Sequence, residues 1–305
     1  MEKECIKMVR GRRKSNLKKD WFDTSFKILS ITVIVLLCFS IIYPFWSIFI
    51  KSFMSDKDII GNPLALWTND FQLDGYRAIF TNRTYNFGRA FLNSVYITLA
   101  TVIYQLTITT LTAYVLSRKN LPFRKTLTFY FVFTMYFGGG LIPYYLLIKD
   151  LKLYNTLEVM IFPHFMSVFN MLVMRSFFLN FPKEIEEAAI IDGASKFRIF
   201  VSIVLPLSKA VLATIAVFIG VSQWNNWYSA MLFIADADKR PLAYALQIII
   251  EKSRGTNSSI GGEVQVIGKS IQYAGIVVSI LPIMVIYPFL QKHFIKGVTI
   301  GAVKE

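Results

Sequence analysis

The chain has 305 residues, of which 54% are hydrophobic and only 17% are charged. A soluble domain usually contains about a quarter charged residues, so this composition disfavours a soluble enzyme, a disordered chain and a disulfide scaffold. The formal net charge of +14 suits either nucleic acid or a membrane surface until the basic residues are located. The two cysteines lie in a basic tail (Cys5) and in an apolar run (Cys38), which disfavours an intrachain disulfide.

Long runs without charged residues predict membrane-spanning helices. A helix needs about 20 mostly apolar residues to cross a bilayer, and five stretches of at least that length contain no Asp, Glu, Lys or Arg. A sixth run includes Arg175, whose guanidinium can extend to the lipid headgroups. We therefore predict an all-α polytopic membrane protein with six transmembrane helices. The predicted spans are 28–50, 91–117, 126–148, 159–181, 207–235 and 270–292.

The basic residues predict how the chain is oriented. Residues 1–27 carry nine Lys or Arg, and the apolar run behind them is too long for a signal peptide. The long loops at 51–90 and 236–269 instead balance bases with acids. Because cytoplasmic segments carry the excess of bases, we expect both termini in the cytoplasm. The transmembrane domain would be 28–295, and the cytoplasmic tail 296–305.

The predicted cytoplasmic loop at 182–206 is a patterned polar segment. Pro182 and the glutamates that follow it suit the first turn of a helix. Gly193 can adopt a positive φ and turn the chain. A second short helix would place Phe197, Phe200, Val201 and Val204 on one face, and Pro206 would end it. Amphipathic spacing alone leaves two readings open, a hairpin lying on the membrane and a docking element.

The sequence of this loop resembles that of a known family. Glu187-Ala-Ala-x-x-Asp192-Gly193-Ala, followed by Phe200 and Pro206, closely resembles the EAA loop of ABC-importer permeases. The segments 137–143, 153–156 and 294–304 resemble the carbohydrate branch of that family. They are similar to the maltose importer's shorter permease subunit and to permeases assigned to complex oligosaccharides and uronides. The final residue departs from many relatives, which end in glycine.

The resemblance implies a fold, partners and site residues. It implies the type I ABC importer permease fold and a bacterial plasma membrane location. It also implies a second homologous permease, two cytoplasmic ABC ATPase subunits, an extracellular solute-binding lipoprotein and an oligosaccharide substrate. ATP and Mg would bind the ATPase, and this chain would hold no cofactor and would not be an enzyme. The residues that it implies for coupling to the ATPase are Glu187, Ala188, Ala189, Asp192, Gly193, Ala194, Phe197, Phe200 and Pro206.

The remaining motifs give weaker evidence about function. Gly268-Lys269-Ser270 ends like a phosphate-binding loop, but position 263 is Glu where the motif needs glycine. The two histidines have no ligand cluster around them that would hold a metal. Candidates for the substrate path combine aromatic planes, amides, a histidine in a span and a glycine break. They are Trp224, Asn225, Asn226, Trp227, His164 and Gly139.

Each of these candidates has a simpler interpretation. The aromatic and amide residues near 224–227 also suit the aromatic belt at a membrane surface. His164 and Gly139 also suit helix packing. An ion-coupled secondary transporter is an alternative function, but five of the spans lack the ionisable groups that ion coupling needs. A permease for a solute other than sugar is a second alternative.

Overall fold

The computed structural model describes residues 21–81, 86–253 and 268–302 of the chain, and within these ranges the secondary structure is helical. Most of the predicted basic tail, Cys5 and the end of the C-terminal tail lie outside the described residues. Glu263 also lies outside the described residues.

The described residues of the first half form six α-helices: α1 (Trp21–Lys51), α2 (Asp56–Gly61), α3 (Asp74–Thr81), α4 (Phe87–Ser117), α5 (Arg124–Tyr136) and α6 (Leu141–Asp150). Two 3₁₀ turns follow, at Leu157–Met160 and Phe162–His164. The second half contains α7 (Val168–Leu179), α8 (Lys183–Ile191), α9 (Lys196–Ile199), α10 (Leu205–Leu207), α11 (Lys209–Trp224), α12 (Trp227–Phe233), α13 (Leu242–Ser253) and α14 (Lys269–Ala302). A π-helical turn joins α9 to α10 at Phe200–Val204, and a 3₁₀ turn lies at Ala237–Lys239.

Three described helices are long and apolar enough to cross a membrane unbroken, and there are six spans if each of three bent helix pairs counts as one. The unbroken spans lie at Thr24–Lys51, Phe87–Ser117 and Lys269–Pro288. Helix α14 contains Pro282 and Pro288, which a transmembrane helix tolerates because neighbouring groups satisfy the freed carbonyls.

The predicted third span, 126–148, is not one helix. Helices α5 and α6 meet at 107°, and three consecutive glycines, Gly138 to Gly140, lie at the junction. Gly140 has a φ of +90°, which a side chain would strain. The charge-free run is long enough to span the membrane, but the helix is interrupted at its three glycines.

The remaining spans also differ from their predicted bounds. Span four is built from the two 3₁₀ turns and α7, which bend by 44°. Span five, predicted as 207–235, breaks between α11 and α12, where the Asn226 side chain accepts a hydrogen bond from the Ser229 N–H and caps the new helix. Helix α14 continues to Ala302 through most of the segment predicted as a tail, and α1 begins at Trp21, inside the segment predicted as basic tail.

Helix α4 is the central element of the bundle, because it packs against both α7 and α11. Its 31 residues extend for about 46 Å. A cluster of buried residues near Ala113 and Leu116 joins the last turns of α4 to α7, α11 and the loop at 182–206. At the other end, Phe87 and Ala90 pack with α3, α13 and α14. Helix α4 therefore connects the predicted coupling loop to the opposite end of the protein.

Candidate functional site

The loop at 182–206 folds as a helical hairpin, and its turn depends on Gly193. Gly193 has a φ of +77°. Its N–H donates to the carbonyl of Ile190, and the N–H of Ala194 donates to the carbonyl of Ala189, each at 3.0 Å. This pair of bonds is a Schellman motif, which needs a residue with positive φ where Gly193 lies. Ser195 then caps α9 by accepting from the Arg198 N–H at 3.3 Å.

The two sides of the hairpin differ in exposure. Ala189, Ile199 and Phe200 are buried in the cluster between α4, α7 and α11. The turn instead projects apolar side chains outward, with Ile191 85% exposed and Phe197 73% exposed. Glu187, Ala188, Asp192 and Pro206 are exposed and Ala194 is half-buried.

One sequence expectation about the hairpin needs correction. Phe197 and Phe200 do not share a face, because Phe200 is 6% exposed and packs inward while Phe197 points outward. Phe200 therefore supports the hairpin from inside. The second helical segment ends at Leu207, one residue after Pro206, and the chain bends there by 78° into α11. The π turn before Pro206, closed by the Leu205 N–H donating to the Phe200 carbonyl, widens the helix where the proline ring would crowd the preceding turn.

A polar attachment that the sequence reasoning missed holds the hairpin to α4. Arg118, which follows α4, forms an ion pair with Glu186 of α8. Its guanidinium carbon also lies 3.9 Å from the ring centroid of Tyr114. The side chain of Arg175 also contacts α4, since its Nε donates to the Leu116 carbonyl at 3.1 Å. It therefore does not extend away from the protein to the lipid headgroups. The signal in the sequence was the base-rich segment after span two opposite the glutamates of α8.

A cavity of about 460 Å³ lies between α4, α7 and α11. Asp, Glu, Lys and Arg are absent from its described lining. Gln223 is tied to the wall, since its Nε2 donates to the Met160 carbonyl at 2.6 Å. The polar lining residues are Gln105, His164, Ser167, Asn170, Ser222 and Gln223. The cavity thus offers uncharged hydrogen-bonding groups beside the rings of Phe169 and Phe218.

One predicted path residue, His164, lines this cavity and contacts a second, Asn226. Their Nε2 and Nδ2 atoms lie 3.3 Å apart, and His164 lines the cavity wall. The His164 Nδ1 atom is buried and has no hydrogen-bond partner among the described residues. A buried polar atom without a partner is costly.

The other predicted path residues lie elsewhere. Trp224 and Trp227 line a second, mainly apolar cavity of about 320 Å³. The Trp224 ring packs edge-on against Phe91, with centroids 6.0 Å apart, and its N–H donates to the Ser279 carbonyl at 3.2 Å. The Asn225 amide donates to the Val221 carbonyl of its own helix, and Gly139 is exposed. Trp224, Asn225 and Trp227 therefore lie at the second cavity, whereas Asn226 contacts His164.

Asn155 forms hydrogen bonds that stabilise the end of the bundle opposite the hairpin. Its side-chain oxygen accepts from the Ala235 N–H at 3.1 Å and from the Asp236 N–H at 3.0 Å. Its carbonyl accepts from the Lys239 ammonium at 2.9 Å. Lys239 also forms an ion pair with Asp236 at 2.9 Å, and this hydrogen bond from Lys239 lowers the pKa of the Asp236 carboxyl. The described residues contain no cluster of three or more metal-ligating side chains.

The fold and the site together define a helical membrane protein with an exposed apolar hairpin at one end and an uncharged polar cavity inside. Residues 11–300 match the family described as binding-protein-dependent transport system inner membrane component, and the chain belongs to this family. The family resemblance inferred from the hairpin sequence is thereby confirmed, as are the all-α ABC permease fold and the expectation that the chain is a transport subunit and not an enzyme.

Relatives of known name cover nearly the whole chain. The polygalacturonan/rhamnogalacturonan transport system permease protein YtcP of Bacillus subtilis is 38% identical, over 88% of this chain and 95% of the relative. The trehalose/maltose transport system permease protein MalG of Thermococcus litoralis is 26% identical, over 91% of this chain and 97% of the relative. A solved chain of a bacterial ABC transporter involved in import of the acidic polysaccharide alginate has a TM-score of 0.78 and 27% identity, covering 90% of this chain and 98% of that chain.

Proposed function

We propose that this protein is a membrane subunit of an ATP-driven importer for oligosaccharides. It would form the translocation path with a second, homologous permease and receive sugar from an extracellular binding lipoprotein. Two cytoplasmic ATPase subunits would bind and hydrolyse ATP with Mg. The family match is the observation that carries this proposal, and the carbohydrate names of the relatives support the choice of substrate class.

The exposed turn of the hairpin is the proposed docking surface for the ATPase. Ile190, Ile191 and Phe197 are 58%, 85% and 73% exposed, and apolar side chains in such a cluster usually mark an interaction site. Glu187 is exposed on the same hairpin and offers a charge to a basic partner. The excess of bases in neighbouring connections supports a cytoplasmic location for this end.

The cavity beside His164 is the proposed sugar-contacting part of the chain. Sugars present many hydroxyl groups, which pair with amides and imidazoles, and their apolar faces stack on aromatic rings. The described lining combines such groups without a charged side chain. Closure of the ATPases would move the hairpin and open the path outward, and hydrolysis would reset it. Such a change can be driven only by contacts that differ between the two states.

The proposed docking surface is tested with the complete importer, purified from cells that express all of its subunits. Ile191→Ser combined with Phe197→Ser should abolish co-purification of the ATPase, because the apolar docking surface is lost. Leu64→Ser is the matched control, since Leu64 is 73% exposed but lies in a loop away from the hairpin. Undiminished ATPase recovery with the hairpin variant would contradict the docking surface.

The substrate class needs a separate assay. Uptake of radiolabelled galacturonan, rhamnogalacturonan and maltose oligosaccharides into cells that express all the subunits should reveal at least one transported sugar. Transport should stop when the ATPase is inactivated. Transport of a non-sugar solute alone would overturn the carbohydrate assignment.

A further inference from the structure

The attachment between Arg118 and Glu186 joins the hairpin to helix α4 at a single turn. Arg118 and Tyr114 are one helical turn apart, and both contact the hairpin. Arg118 pairs with Glu186 on the first arm, while the Tyr114 ring packs on Phe200 of the second arm, with centroids 4.6 Å apart. The same ring contacts Phe178 of α7 at 5.7 Å. Both arms of the hairpin are therefore fastened to the same part of α4.

The ion pair at this turn is partly buried. The side chains of Glu186 and Arg118 are 15% and 34% exposed, so water screens their attraction less than at an open surface. The Nε and Nη2 atoms of Arg118 are buried without a hydrogen-bond partner among the described residues. The described partner of the guanidinium, apart from the Tyr114 ring, is thus the Glu186 carboxylate. Losing that carboxylate would leave a partly buried charge unpaired.

The neighbouring glutamates are placed differently. Glu184 and Glu187 are exposed, whereas Glu186 is half-buried. The side chains of adjacent helical residues point about 100° apart, so Glu186 faces α4 when Glu187 faces away from it. The hairpin therefore presents one carboxylate to its own protein and others to its surroundings.

We propose that Arg118 and Glu186 are positioning residues that make the hairpin and α4 move as one body. Helix α4 then carries a displacement of the hairpin to Gln105 in the cavity wall, which lies about 20 Å along the helix from Arg118. The ion pair sets the angle of the first arm, and the Tyr114 and Phe200 rings set the second. The link to ATP rests on the proposed function, whereas the mechanical attachment does not.

The attachment is tested in the full chain in lipid nanodiscs, without partners. A spin label is placed at Phe197→Cys, in a background in which Cys5 and Cys38 are replaced by serine. Arg118→Gln or Glu186→Gln should raise the ratio of mobile to immobile label by about tenfold, the effect of losing a partly buried charged pair. The reversed pair, Arg118→Glu with Glu186→Arg, should restore most of the immobile signal. Glu184→Gln is the matched control and should change nothing.

Coupling is then measured in the reconstituted importer as sugar moved per ATP hydrolysed. Each single variant should lower this ratio by about tenfold while hydrolysis and assembly persist, and the reversed pair should recover it. Unchanged label mobility in both single variants would overturn the attachment, as would a reversed pair that behaves like the single variants. If mobility responds as expected but the unmodified importer shows no ATP-driven uptake, the proposed function fails and the attachment stands.

Discussion

Replacing Gly193 tests whether the hairpin turn acts through its backbone conformation. A Cβ built at this position meets no atom within 4 Å, so a substitution causes no collision within the chain. The cost arises from the φ of +77°, which a non-glycine L-residue adopts at a cost of about 1–2 kcal/mol. Asparagine and aspartate tolerate this region better than alanine does. An added carboxylate after the C-terminus of α8 costs a further ~0.3–1 kcal/mol against the helix dipole.

These magnitudes predict an order of variants. A loss of about 1–2 kcal/mol lowers the population of the correct turn by roughly 5- to 30-fold. Gly193→Asn should retain the most sugar uptake, and Gly193→Ala and Gly193→Asp should lose most of it. Uptake is measured with labelled oligosaccharide in cells, and immunoblots of membranes confirm equal insertion. If Gly193→Asn fails as completely as Gly193→Ala, the backbone argument is refuted and the partner must need the empty space beside Gly193.

Three further predictions concern stability in detergent, measured as the thermal unfolding midpoint. Gly75→Ala should destabilise the protein by about 1–3 kcal/mol, because its Cβ would lie 2.8 Å from the Ser270 carbonyl oxygen; Gly88→Ala, whose Cβ meets nothing, should not. Asn155→Ala should cost about 2 kcal/mol by removing two accepted hydrogen bonds, and an unchanged midpoint would contradict the described contacts. The lowered pKa of Asp236 means that its contribution is present above its unfolded value of about 3.9 and is lost as pH falls through the lower folded value. Asp236→Asn should therefore flatten that acidic part of the stability curve, and a curve of unaltered slope would count against the ion pair.

The candidate site shows where sequence reasoning succeeds. Pro182 and the following acids predicted a helix start, and α8 begins at Lys183. Gly193 was expected to turn the chain, and it has a positive φ. Such features are local, since they depend on a few neighbouring residues and on backbone sterics. The resemblance to ABC-importer permeases rested on the same short segment and is confirmed by the family match.

The same site also shows where reasoning from the sequence fails. The spacing of Phe197 and Phe200 allowed both to lie on one face, yet one points outward and the other packs on Tyr114. The choice depends on α4, which is distant in sequence. The pairing of Arg118 with Glu186 joins residues 68 positions apart, and the count of charges alone could not match these partners.

The sequence by itself determined that the chain is an all-helical membrane protein with a glycine-turned hairpin, because apolar run length, charge placement and backbone freedom are properties of short segments. Only the tertiary structure decided that the third span bends by 107°, that Asn226 contacts His164 while its neighbours line a separate cavity, and which glutamate faces α4. These outcomes follow from packing and hydrogen bonding between elements that are remote in the chain, where the shape of the neighbouring helices decides which side of each helix is buried.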